Sequence, residues 1–192
     1  TDVVVVNVNT TLPTANAGSN KNLNCTTTSS TIGTTAIAGN SYSWSPATGL
    51  SATNVAMPTA SPSATTVYTV TVTGSNGCTA TSTVTVNVNT TPPTADAGVD
   101  KNLNCTTTST TIGTTAIAGN SYSWSPATGL SATNVAMPTA NPSATTTYTV
   151  TVTGTNGCTA TDAVVVNVST ISPVADAGND KSLNCTTTSA TI

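Results

Sequence analysis

Val67-Tyr68-Thr69-Val70-Thr71-Val72-Thr73 sets Tyr68, Val70 and Val72 on one face and threonines on the other. That is the period-two alternation of a half-buried strand. Ser75-Asn76-Gly77 follows as a hairpin turn, and Thr83 to Val88 resumes the pattern with Val84, Val86 and Val88 inward. Upstream, Ser41-Tyr42-Ser43-Trp44-Ser45 directs Tyr42 and Trp44 inward and its serines outward, and Pro46 to Gly49 forms a turn. Lys21 to Cys25 alternates with Leu23 and Cys25 on one face. Ser30 to Ile37 predicts a strand around Ile32, and Asn54 to Met57 a short edge strand stopped by Pro58 and Pro62. Six or seven short strands with regular turns predict an all-β sandwich.

The unit recurs. Cys25, Cys105 and Cys185 are spaced by 80 residues, as are Cys78 and Cys158, and residues 31–60 return unchanged as 111–140. About thirteen positions differ across the whole repeat. The chain therefore divides into residues 1–12, the closing strand of a preceding repeat; 13–92, the first sandwich; 93–172, the second; and 173–192, the opening of another. The expected core is Tyr42, Trp44, Tyr68, Val70 and Val72 in the first, and Tyr122, Trp124, Tyr148, Val150 and Val152 in the second. The two incomplete ends together lack the Trp strand and cannot complete one another, so the chain reads as a window of a longer array.

Composition narrows the function. Thr, β-branched and strand-favouring, is about a quarter of the 192 residues. Lys21, Lys101 and Lys181 are the only cations and the net charge is −3, which argues against nucleic acid. No apolar run reaches the roughly 18 residues of a membrane span. His and Glu are absent, so a Ser/His/Asp triad cannot form and the remaining acid–base groups are few; the reading is not an enzyme.

The cysteines predict disulfides. Pairing within a repeat, Cys25 with Cys78 and Cys105 with Cys158, is expected, because both cysteines are read as facing one core and bridges between sandwich sheets are common. Cys78 to Cys105, across neighbouring repeats, is the competing arrangement. Cys185 has its partner outside the sequence. Paired thiols in a chain so poor in charge point to an oxidising, extracellular setting.

Ala15-Asn16-Ala17-Gly18, Tyr42-Ser43-Trp44-Ser45-Pro46, Gly49-Leu50-Ser51, Tyr68 to Thr73 and Asn76-Gly77-Cys78-Thr79-Ala80-Thr81 together resemble the PKD-like and Ig-like tandem domains of large bacterial surface proteins. The resemblance spans the whole chain. It implies Ig-like/PKD-like sandwich repeats exported to the bacterial cell surface as part of an adhesin or filament.

Against that background the function expected is a structural stalk or fibre. Asn89-Thr90-Thr91-Pro92-Pro93 and its counterpart Ser169 to Pro173 are short linkers, and the prolines stiffen them. Like domains on like linkers propagate as a rod. The partners expected are further copies of the repeat in cis, with side-by-side association of rods, since the edge strands carry almost no protective charge. O-glycans on Thr and Ser would solvate so neutral a surface. The alternative is a ligand-binding module, with Trp44 and Trp124 stacking on sugars or Thr-x-Thr rows meeting ice. No cofactor is expected; calcium at the repeat corner, held by Asp96, Asp100, Asp176 and Asp180, is the one metal reading, and two carboxylates per corner are few for a cation that takes six to eight oxygens.

Overall fold

The computed structural model describes residues 2–171 and 174–191. The strands are β1 (Lys21–Asn24), β2 (Ser30–Thr31), β3 (Ser41–Ser45), β4 (Thr59–Ala60), β5 (Thr66–Thr73) and β6 (Thr79–Asn89), then β7 (Lys101–Leu103), β8 (Thr110–Thr111), β9 (Ser121–Ser125), β10 (Thr139–Ala140), β11 (Thr146–Thr153) and β12 (Thr159–Val168). Each set of six makes one all-β sandwich. A four-stranded sheet, β1-β6-β5-β3 or β7-β12-β11-β9, faces a two-stranded one, β2-β4 or β8-β10.

The alternation seen in the sequence sets the register. β5 pairs antiparallel with β6, placing Tyr68 opposite Val84 and Val70 opposite Ser82, and with β3, placing Val70 opposite Trp44. β1 instead runs parallel to the end of β6, from Lys21 opposite Val86 to Asn24 opposite Asn89. Leu23, Ile32, Trp44, Ala60, Tyr68, Val70, Val72, Val84 and Val86 form one buried core, with Tyr42 and Val88 partly buried at its margin. The second core repeats it around Trp124, Tyr148, Val150 and Val152, with Tyr122 at the margin.

Buried polar atoms find partners within the repeat. Trp44 is 3% exposed, and its indole N–H donates to the Val55 carbonyl at 2.8 Å. The Tyr68 hydroxyl donates to the Thr48 carbonyl at 2.7 Å. Both bonds tie the loop after β3 to the core, so the aromatic rings organise chain that has no ladder of its own.

Three expected details differ. The strand around Ile32 is confined to Ser30–Thr31: Gly33 takes a positive φ of 84° and donates its N–H to the Ala17 carbonyl, which turns the chain out of the sheet. Asn54 to Met57 is not a strand; the Thr53 and Val55 carbonyls accept the backbone and indole N–H groups of Trp44. That segment covers the outer edge of β3, and the strand begins only after Pro58, at Thr59. Cys25 lies beyond β1 and is exposed, so it does not share the buried face of Leu23. The chain turns at Asn24, whose Oδ1 accepts the N–H groups of Thr26 and Thr27 at 3.0 and 2.7 Å.

Neither end forms a strand among its described residues. Residues 2–12 have no neighbour corresponding to β5 or β1, and Val3 and Val4 are 80% and 83% exposed. Residue 1 of the closing segment, residue 172 at the end of the second sandwich, and residues 173 and 192 of the opening segment lie outside the described residues.

Trp44→Ala removes a buried ring and orphans the Val55 carbonyl, and should destabilise the first sandwich by about 3–5 kcal/mol. In urea the single melt should split, with residues 13–92 unfolding first. Burial raises the Tyr68 and Tyr148 hydroxyl pKa values above their ordinary value, partly offset by Thr66 and Thr146. Because the folded pKa is the higher one, this stabilisation is complete below the unfolded-state value near 10 and fades as pH rises through the folded value. With thiols alkylated, phenolate absorbance should show Tyr68 and Tyr148 ionising above the ordinary tyrosine range, together with unfolding.

Candidate functional site: the junction between repeats

Where the two sandwiches meet, three connections converge. The first is the linker, Asn89 to Pro93. The second is Asn156, at the tip of the β11–β12 hairpin. Its Nδ2 donates to the Thr91 carbonyl at 2.9 Å and to Asn89 Oδ1 at 3.1 Å. Its Oδ1 accepts the Cys158 N–H at 3.1 Å, which fixes the side chain toward the linker.

The third connection is covalent. Cys25 of the first repeat is bonded to Cys158 of the second, 133 residues away, with Cα atoms 5.0 Å apart, inside the usual range for a disulfide. This replaces the expected pairs Cys25–Cys78 and Cys105–Cys158, and differs also from the competing Cys78–Cys105. The reason lies in the exits from the sheet. β1 ends at Asn24, so Cys25 is carried out of the core toward the next hairpin, and its N–H donates to the Asn156 carbonyl at 3.3 Å. Cys78, Cys105 and Cys185 are free thiols here. In the chain-entropy estimate, closing so long a loop is worth about 5 kcal/mol. Since each sandwich has its own core, much of that constraint acts on how the two are held together.

Gly157 shows how close the surfaces come. Its φ is +73°, and a Cβ there would lie 2.5 Å from the Thr26 methyl carbon. The hairpin therefore presents a socket floored by backbone, into which the Asn24–Thr27 turn fits. Cys158 is 2% exposed within it. Beside this contact runs an open groove of about 310 Å³ lined mainly by asparagines, including Asn22, Asn24, Asn87 and Asn156.

The acidic corner serves the sandwich itself. Asp96 and Asp176 accept the N–H groups of Gly98 and Gly178, both at 2.8 Å, closing local turns. Asp100 accepts the Val165 N–H at 2.9 Å. Asp162, which sequence reasoning did not connect to this corner, accepts the Ala97 N–H at 2.7 Å; Ser82 does the same for Ala17 at 3.1 Å. The Ser82/Asp162 difference between the repeats, with both residues 65 positions from the amide they cap, was the available signal. Among the described residues no three His, Cys, Asp or Glu side chains come together.

No family model and no curated protein matches this chain. Solved structures similar to it include titin domains I67–I69 in an E-to-A mutated variant, at 13% identity and a TM-score of 0.47 over 81% of this chain and 64% of that one. The PKD domain from the KIAA 1837 protein is 25% identical, with a TM-score of 0.36 over 46% of this chain and 99% of that one. Extracellular domains 3–5 of Drosophila OTK are 13% identical, with a TM-score of 0.39 over 79% and 59%. The chain thus spans about 64% of the titin structure's length. The sandwich assignment rests on the strand order and register described above.

Asp162→Ala should cost about 1–3 kcal/mol, since it leaves the buried Ala97 N–H without an acceptor, and Ser82→Ala should cost less because a neutral acceptor is lost. Comparing the urea midpoints of the two variants checks the order.

Proposed function

We propose that this chain is a structural spacer, a stretch of extracellular stalk or fibre in which stiffness is the function. The observation that carries the reading is the doubly connected junction. A single linker allows neighbouring sandwiches to swing; a linker plus a disulfide at a second point removes most of that freedom. Because the two repeats are near-identical, one fixed rotation repeats along an array and makes a rod or gentle superhelix. Disulfides persist outside the reducing cytosol, which supports an extracellular location. A bacterial surface adhesin or filament is the setting that the sequence resemblance implies. No catalytic role belongs to this reading, because its inventory of acid–base groups is so small. Side-by-side bundling and O-glycosylation extend the proposal: with β3 covered by residues 53–55, the surfaces left for them are the β1 edge and the hydroxyl faces.

A second reading draws on the outer face of the four-stranded sheet. There Ser45, Thr69 and Thr83 align across strands, as do Ser43, Thr71 and Thr81, and Ser41, Thr73 and Thr79. Such rows of hydroxyls would suit an ordered hydrogen-bonding surface such as ice or a glycan. Stacking of sugars on Trp44 is disfavoured by its burial.

Small-angle scattering on the oxidised chain and on Cys25→Ser tests the spacer reading. The oxidised chain should scatter as one rigid, elongated body, whereas Cys25→Ser should need a distribution of inter-repeat angles. Identical profiles would mean that the disulfide contributes no stiffness. Thermal hysteresis in the oxidised chain would favour the hydroxyl-face reading instead.

A further inference from the structure

We propose that every repeat carries both halves of the junction staple, a plug and a socket, so that Cys105 is the plug for a following repeat and Cys78 the socket for a preceding one. The occupant in each case is another repeat of the same chain, contiguous in sequence. This deepens the spacer reading by extending the staple from one junction to all of them.

The plug is the turn after the first strand, and it has one shape whether bonded or not. In the bonded turn, Asn24 Oδ1 accepts from the Thr26 N–H, the Thr26 hydroxyl and the Thr27 N–H at 3.0, 2.8 and 2.7 Å. Asn104 holds the free Cys105 turn by the same three bonds at 2.9, 2.8 and 2.8 Å. Asn184 does so around Cys185, at 2.9, 2.7 and 2.8 Å, although the strand before it is absent there. The turn is thus a local product of the Asn-Cys-Thr-Thr sequence and presents its sulfur before any partner arrives.

The socket is equally preformed. Asn76 grips residues 9–11 as Asn156 grips 89–91, donating to the Thr11 carbonyl at 2.9 Å and accepting the Cys78 N–H at 3.1 Å. What differs is occupancy. A Cβ at Gly77 would meet nothing within 4 Å, whereas the same addition at Gly157 runs into Thr26. Cys78 is correspondingly half-buried and Cys158 buried. Gly77 thus keeps open a space that, one repeat later, is filled by a plug.

The occupant is a repeat in cis for a geometric reason. Residues 9–11 already lie along the hairpin that carries Cys78, in the position taken by the linker at the filled junction. A plug arriving with its own linker from a separate copy would compete with that segment. Forming each bond removes two protons and two electrons from two thiols; a small-molecule disulfide such as oxidised glutathione accepts the electrons and becomes two thiols.

The test is a tandem array, residues 1–172 followed directly by residues 13–192, refolded with oxidised and reduced glutathione and digested for mass spectrometry. The flanking residues distinguish the peptides: Ser30 or Thr110 beside the opening cysteine, and Ser75 or Thr155 beside the closing one. Propagation predicts a new crosslink absent from the single chain, a Cys105 peptide joined to a Cys78 peptide, alongside Cys25–Cys158, and the number of free thiols should stay as in the single chain. Crosslinks of Cys25 to Cys78 or of Cys105 to Cys158 overturn the proposal, as does a central Cys105 that stays reduced while Cys25–Cys158 forms. Scattering from the same array separates the two ideas, since a rigid rod with the wrong crosslinks would refute the plug and socket and leave the spacer reading standing.

Discussion

Asn156 and the sulfur of Cys158 stand two residues apart on one hairpin, and between them they hold the two chain segments that leave the first sandwich. The amide takes the linker carbonyls; the sulfur takes the turn after β1. Everything proposed for the assembled molecule depends on that double hold. Without it, each repeat is an ordinary small sandwich joined to the next through one short linker alone. With it, the direction of one repeat fixes the direction of the next, and local regularity becomes long-range shape.

The sandwich can serve this purpose because its own stability is settled internally. Each repeat closes a separate core around one tryptophan and one fully buried tyrosine, with both polar ends bonded to loop carbonyls. The cysteines are therefore not needed to hold two sheets together, which is their usual role in sandwiches of this size. They are free to act between domains. The same economy explains the acidic residues: Asp96, Asp100 and Asp162 accept backbone N–H groups within their own repeat, and the surface is left to threonine, serine and asparagine.

Near-identity of the repeats has a mechanical consequence. A junction that recurs unchanged transmits one rotation each time, so small offsets add coherently rather than averaging out. Mutational drift in the Asn24–Thr27 turn or in the Gly74–Cys78 hairpin would break that coherence at a single point. In both segments the two repeats agree closely: residues 21–29 match 101–109 throughout, and only Ser75 against Thr155 separates the hairpins.

Much was legible from residue order alone. Alternation in Val67–Thr73 and Thr83–Val88 specified two strands and their buried faces, because a strand's side chains must alternate and only one face here is apolar. The 80-residue period specified two like domains. The ends of strands were less legible: Gly33 stops β2 by taking a positive φ, and Val55 is drawn to the tryptophan indole instead of a ladder. The disulfide pairing lay beyond reach. Cys25 follows Leu23 by two positions, and period two puts them on one face only if the strand continues; Asn24 ends it by capping the Thr26 and Thr27 amides, and the thiol swings outward. Which sulfur it then meets depends on how two domains sit side by side, a contact between residues 133 positions apart that no local pattern encodes.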